Sequence, residues 1–311
     1  MRAISQRAFG GLDVLELTEV PKPKPLPTEV LVRVHATSVN PVEAFIRAGA
    51  FPLLGNPPFI LGWDVSGVVE ESAPATWRFR PGDEVYGMPL FPRAAGAYAE
   101  FVAAPSRHFS RKPKNLDHAH AAALPLVALT AWQGLVDIAR IEAGQRVLIH
   151  GGGGGVGHIA VQLAKALGAH VIATASAAKR AFVQNLGADE VIDYNAVDFS
   201  EAVHDVDVVL ELVGRGNAQR SLRVLREGGG LLVTAVERTN AELAQQTEAA
   251  GRRFAGVAVE PDYVALERLT ELVEAGKIRP HVDETLPLAE AAKAHQLVEK
   301  GSTAGKIVLT V

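Results

Sequence analysis

Between residues 146 and 167 a short apolar run, Val147, Leu148 and Ile149, leads through five consecutive glycines, Gly151 to Gly155, into a segment of helical period. Its apolar residues Val156, Ile159, Ala160, Leu163, Ala166 and Leu167 fall on one stripe. The run contains G-x-G-x-x-G as Gly152, Gly154 and Gly157. Alone, that pattern occurs readily in glycine-rich chain, but framed by a strand and an amphipathic helix it is specific. The first glycine makes the tight turn, the second lets a pyrophosphate approach bare backbone, and the third lets the helix pack on the strand. The N–H groups of the helix start then face the phosphates. Gly152, Gly154, Val156 and Gly157 are therefore predicted to bind a dinucleotide.

The surrounding chain supports a nucleotide-binding sheet. Strands are predicted at 146–150, 170–175, 191–193, 207–212, 230–236 and 254–259, with helical segments between them. Six such strands fit one doubly wound parallel sheet, an α/β fold of the Rossmann type. Before residue 120 the character differs. Short strands at 29–36, 64–71, 83–87 and 97–104, separated by Gly and Pro, suggest an irregular β-barrel. After Pro261 come a helix to about Gly276, a loop carrying Pro280 and Pro287, a helix over 289–300 and a last apolar strand over 307–311. That strand could rejoin the N-terminal domain, which periodicity alone does not decide.

The end of the second predicted strand bears on which dinucleotide is bound. An NAD site places an Asp or Glu roughly 20 residues beyond the motif to accept the ribose hydroxyls. Here the stretch reads Ile172, Ala173, Thr174, Ala175, Ser176, and the next carboxylate is Asp189. Ser176, Lys179 and Arg180 follow instead, a hydroxyl and two cations suited to a 2′-phosphate. NADPH is the expected cofactor.

Composition excludes several chemistries. The chain has no cysteine, which removes thiolate nucleophiles, iron–sulfur clusters and every zinc site with a sulfur ligand. None of the 10 histidines forms HExxH, His118 and His120 fall on different sides of a helix, and no metal is expected. No G-x-S-x-G nucleophile elbow exists. Asp64, Asp83 and Glu84 read as turn or strand-end residues. The net charge of −4, with no basic stripe, argues against nucleic acid. The most apolar stretch, 121–132, is broken by Pro125 and is shorter than the roughly 20 residues of a membrane span. The N-terminus lacks a signal-peptide core, so a cytoplasmic location is expected.

Several separated stretches resemble the zinc-free branch of the medium-chain dehydrogenase/reductase superfamily, the NADPH:quinone oxidoreductase group that includes zeta-crystallin. They are EVLVRVHATSVNPVEAFIRAG from Glu29, PPFILGWDVSGVV from Pro57, RPGDEVYG from Arg80, AAALPLVALTAWQGL from Ala121, VLIHGGGGGVGHIAVQLAKALGA from Val147, LGADEVIDY from Leu186 and AGKIVLTV from Ala304. The resemblance implies a Rossmann domain inserted into a GroES-like β-barrel domain: residues 1–123 for the GroES-like catalytic domain, 124–260 for the NADP-binding domain and 261–311 for the C-terminal return. Zinc-dependent relatives carry a cysteine shortly after the strand that starts at Glu29 and a histidine near residue 62. This chain has Ser38, Val39, Asn40, Pro41 and Gly62, Trp63, Asp64 there.

Carried over by position, the resemblance makes Asn40 the asparagine beside the nicotinamide; the donor to the substrate oxygen would be its amide, a cofactor ribose hydroxyl or water. Thr130 becomes a cofactor contact, Lys179 the lysine that grips the 2′-phosphate, and Tyr194 the tyrosine beside it. Where family members commonly have cleft-lining tyrosines, this chain has Phe45 and Phe51, which keep apolar area but cannot donate to a carbonyl. The implied activity is zinc-independent hydride transfer from NADPH to a quinone or related conjugated carbonyl. Reduction of alkenal or enoyl-thioester double bonds, and a non-enzymatic NADPH-binding role, are the alternatives. A homodimer paired along the 254–259 strand is compatible with the apolar character of that segment.

Overall fold

The structure is a computed structural model that describes every residue except Arg215, Glu237 and Arg238. The chain divides into two compact units. One comprises residues 1–129, 260–276 and 280–311, and the other residues 130–259 and 277–279.

The second unit is built on a six-stranded sheet, all parallel, whose strands in order of sequence are Arg146–Ile149, His170–Ala175, Glu190–Asp193, Val208–Glu211, Leu231–Thr234 and Arg253–Gly256. Their spatial order is 3-2-1-4-5-6, that of the Rossmann fold. The central strands are buried along almost their whole length, which explains runs such as VLI and LLVT with no polar alternation. Leu148, Ile172, Val209 and Leu232 share one core with Phe199, Val203 and Leu243. The Arg253–Gly256 strand closes the sheet at one edge.

The first unit carries two antiparallel-dominated sheets. In the larger one the neighbours run Val282–Pro287, Lys306–Thr310, Glu29–Val39, Val65–Ser72, Glu84–Gly87 and Phe109–Arg111. The long strand Glu29–Val39 serves two partners along one edge. Its first half, Glu29 to Arg33, pairs with Phe101–Pro105, and its second half, Ala36 to Val39, pairs with Lys306–Thr310. The C-terminal strand does therefore return to the N-terminal unit. Val30, Val32, Val34, Val65, Val69, Val85 and Phe109 fill the interior of this unit. The smaller sheet joins Arg2–Gln6, Glu16–Glu19 and Phe59–Ile60.

Three expectations change. The segment expected as a loop between Pro280 and Pro287 contains the strand Val282–Pro287, which pairs in parallel with Lys306–Thr310. It is an exposed edge strand with charged Asp283 and Glu284 and ends on Pro287, so it lacks the apolar signature of a buried strand. The strand expected at 97–104 is only Phe101–Pro105. Upstream, Ala97 and Tyr98 donate their N–H groups to Gly62 and Leu61, while the Tyr98 carbonyl accepts from Ile4, so the backbone crosses between sheets. Upstream of residue 29, where the sequence predicts no strand, the mostly polar segments Arg2–Gln6 and Glu16–Glu19 are strands.

Leu232 is fully buried in the central parallel sheet, whereas Leu17 is 46% exposed. Leu232→Ala is expected to cost about 2–5 kcal/mol and to lower the thermal midpoint, and Leu17→Ala to leave it nearly unchanged. Scanning calorimetry of both variants checks the packing; equal midpoints would contradict it.

Candidate active site

The glycine-rich turn follows directly from the first parallel strand. Gly151 has φ +69°, and its N–H and that of Gly152 donate to the Oγ1 and carbonyl of Thr174 on the neighbouring strand. A β-carbon on Gly157 would lie 2.1 Å from the Gly151 carbonyl oxygen, and one on Gly152 would lie 2.8 Å from the Ala173 β-carbon. Side chains are sterically barred at both positions, as close helix–strand packing requires. Gly154 caps the helix Gly155–Ala166 without a side-chain hydrogen bond, so the first-turn N–H groups of Gly155, Val156 and Gly157 have no intrahelical acceptor. This bare, electropositive helix start suits a phosphate.

Behind the turn, His150 is wholly buried, with Nδ1 3.2 Å from Thr174 Oγ1 and Nε2 3.0 Å from Ser221 Oγ. Burial pushes its pKa down to about 3, so the ring is neutral and bridges two hydroxyls. It braces the same threonine that holds Gly151.

The 2′-phosphate candidates gather at the end of the second strand. The N–H of Lys179 donates to the Ser176 carbonyl, and the N–H of Tyr194 donates to that of Ala175. The Lys179 stem lies across the turn, with Cδ 2.9 Å from where a Gly153 β-carbon would sit. Ser176, Lys179, Tyr194 and the glycine turn are thus brought together, and Arg180 is exposed at the start of the next short helix. Thr130 is buried in the helix Pro125–Trp132, one turn beyond Leu126.

In the other unit, Asn40 caps the helix Pro41–Arg47, whose first position is a proline. The Asn40 N–H donates to Glu43 Oε2 at 2.7 Å, one half of a capping box. Its side-chain Nδ2 donates to Asp64 Oδ2 at 2.8 Å, and its Oδ1 accepts from Lys306 Nζ at 2.5 Å. Asn40 is 1% exposed, and both the Oδ1 and the Nδ2 of its amide meet internal partners. Asp64, expected as an ordinary strand-end residue, does precede the strand Val65–Ser72, but it is fully buried. It accepts from Ser38 Oγ, Asn40 Nδ2 and the Leu126 N–H and pairs with Lys306 at 3.6 Å.

The cluster continues through Glu43. Tyr98 donates its hydroxyl proton to Glu43 Oε2 at 2.7 Å, and His295 Nε2 stands 3.2 Å from the same hydroxyl. Burial raises the Glu43 pKa to about 7, aided by the Asp64 charge and opposed by the Asn40 N–H, the Tyr98 hydroxyl and Lys306. Burial also drives His295 down to about 3 and the Lys306 ammonium below its ordinary range. Phe45 is 58% exposed on the helix Pro41–Arg47, and its carbonyl accepts from the Phe51 N–H, which brings the two aromatic positions into one local turn.

Residues 26–114 match the alcohol dehydrogenase GroES-like domain family, and residues 186–309 match a family described as zinc-binding dehydrogenase. The quinone oxidoreductase of Mus musculus is 32% identical, over 99% of this chain and 97% of its own length. The chain belongs to the medium-chain dehydrogenase/reductase superfamily, in its quinone oxidoreductase branch. It is an oxidoreductase. An NADPH-dependent alkenal/one oxidoreductase of Arabidopsis thaliana is 34% identical, over 99% of this chain and 79% of that protein. The solved quinone oxidoreductase of Coxiella burnetii superposes with a TM-score of 0.95 at 36% identity, covering 100% of this chain and 99% of that one.

For this superfamily member, local pattern gives Asp64 only a strand-end place and gives Tyr98, His295 and Lys306 no site role, because no short spacing joins them. Glu43 had one available signal, its position three residues after the capping Asn40. Because Glu43 is more acidic unfolded than folded, its contribution to stability is greatest below pH 4.5 and is lost as pH rises through about 7. Denaturation midpoints measured from pH 4.5 to 8 are expected to fall across that window, and Glu43→Gln is expected to flatten the fall; an unchanged slope in the variant would assign it to another group.

Proposed function

We propose that this oxidoreductase is a zinc-independent reductase that uses NADPH to reduce a quinone or related conjugated carbonyl. The observation that carries the cofactor reading is Lys179, laid across the glycine turn at the end of a strand that offers no carboxylate to a ribose. The chemistry of the site fits a phosphorylated dinucleotide: a sterically bare turn, an uncapped helix start and a cation beside them. The nicotinamide supplies the hydride when bound. The protein's own part is to hold the phosphates on the Gly155, Val156 and Gly157 amides, with Lys179, Ser176, Arg180 and Tyr194 around the 2′-phosphate and Thr130 as a further cofactor contact.

Zinc independence is supported by what occupies the two segments where zinc-dependent relatives carry ligands. Asp64 is turned onto Ser38, Asn40, the Leu126 amide and Lys306, so a cation of the chain itself already balances it. The acceptor class is supported by the named activities of the mouse and Arabidopsis relatives. Phe45 and Phe51 would present apolar ring surface to a flat conjugated acceptor, with Asn40 as the positioning residue that starts the helix carrying Phe45. Lacking hydroxyls, they suit an alkenal or enoyl thioester equally, which makes double-bond reduction the second reading. Pairing of two copies along the half-buried edge strand Arg253–Gly256 and a cytoplasmic location belong to the same reading. Among the described residues no helix is long and apolar enough to cross a membrane.

NADPH consumption with 1,4-benzoquinone, 9,10-phenanthrenequinone, 2-alkenals and a 2-enoyl thioester, with and without a chelator, tests the acceptor. Chelator-resistant quinone turnover is expected, and activity confined to alkenals or thioesters would transfer the function to double-bond reduction. Lys179→Ala is expected to raise the KM for NADPH by roughly 10- to 100-fold, the worth of one charge-assisted hydrogen bond, and to leave that for NADH unchanged. Equal effects on both cofactors would remove Lys179 from the 2′-phosphate site.

A further inference from the structure

Lys306 is 3% exposed, at the start of the last strand, and its ammonium is held by the Val39 carbonyl at 3.0 Å, Asn40 Oδ1 at 2.5 Å and, as an ion pair, Asp64 Oδ2 at 3.6 Å. These partners come from the end of the strand Glu29–Val39, the cap of the helix Pro41–Arg47 and the residue before the strand Val65–Ser72. An ammonium can only donate and a carboxylate can only accept, so the pair leaves the Asn40 amide one orientation, Oδ1 on Lys306 and Nδ2 on Asp64. The remaining groups around the amide agree: Glu43 Oε1 is a weak second acceptor for Nδ2 at 3.4 Å, and Ser38 Oγ donates to Asp64 rather than competing for it.

Such an arrangement is costly to build, because both charges are removed from water. A packed apolar pair would stabilise these strands at least as well, so stability alone is a weak reason for it. What an apolar pair could not do is orient an amide.

We propose that Lys306 is a positioning residue for the reductase reaction: its buried ammonium, acting against Asp64, locks the Asn40 side chain and with it the start of the helix that carries Phe45. The proposal deepens the reading that this helix faces the acceptor. It assigns the C-terminal strand a part in the site, through a residue 266 positions from Asn40 in sequence.

The test uses the full-length enzyme in two variants, Lys306→Met and the double variant Lys306→Met with Asp64→Asn. The single variant leaves a buried carboxylate without a counter-charge and is expected to lose roughly 10 °C of thermal midpoint, or to fail to fold. The double variant removes both charges and is expected to regain most of that loss. Its kcat with the acceptor that the wild type turns over is nonetheless expected to fall about a hundredfold, the scale of a misplacement near 1 Å, while the KM for NADPH stays as it was. A second readout is independent of any acceptor. The Asn40 side-chain NH2 protons, identified by nuclear magnetic resonance against Asn40→Ala, should exchange slowly in the wild type and fast in the double variant. A double variant with wild-type kcat, or with a protected Asn40 amide, overturns the proposal. If the wild type reduces no acceptor in the panel, the functional reading fails by itself, and the exchange measurement still decides whether Lys306 positions Asn40.

Discussion

The antiparallel pairing of the last strand with the end of Glu29–Val39 is the contact on which the first unit and its polar cluster depend. It aligns Ile307 with Val39 and Val308 with Ser38, one residue from where Asn40 caps its helix. With that register set, Lys306 falls opposite the Val39 carbonyl and Asn40. A slip of one residue would turn Ile307 and Leu309 to the other face and carry the ammonium out of the site. The same strand pairs on its other side with Val282–Pro287, so the C-terminal segment is held along both edges.

The polar cluster in this unit behaves as a set of coupled charges in a poorly solvated interior. Asp64 is engaged by three hydrogen-bond donors and one cation, so little of its hydrogen-bonding capacity is left open. Glu43 has weaker support and is drawn toward neutrality, which makes it the group of this cluster that titrates near physiological pH. His295, beside Arg47 and away from water, is kept neutral and bonds to Tyr98 through a ring nitrogen. Arg47 discharges outward instead, onto Glu299 at 2.7 Å. What separates the groups is burial without a paired counter-charge at Glu43 and His295 against the Lys306 ammonium beside Asp64.

In the nucleotide-binding unit the governing constraint is steric. The Gly157 α-carbon has to pass so close to the Gly151 carbonyl that no side chain fits, and this close approach keeps the helix start bare for a ligand. The Lys179 stem packs against Gly153 of the same turn. The neutral His150 below it supports the turn through Thr174 and adds no charge there.

What was legible in the sequence is what local pattern encodes. The glycine turn, the first two parallel strands and the missing carboxylate after Ala175 all lie within about 30 residues of one another, the span over which a βαβ unit imposes its periodicity. The structure reproduces them, His170–Ala175 to the residue. The absence of cysteine was equally plain, whereas the Asn-x-x-Glu spacing at Asn40 is a local signal that gains meaning only once the capping box is seen. Not legible were contacts between residues far apart in sequence: Lys306 with Asn40 and Asp64, Tyr98 and His295 with Glu43, and the polar edge strand Val282–Pro287. Sequence by itself determined that this chain builds a dinucleotide turn without a ribose-binding acid, because backbone sterics and side-chain charge act locally there. Only the tertiary structure decided that the Asn40 amide is committed inward and that a C-terminal lysine holds it, because a buried charge takes its role from the partners that packing brings to it.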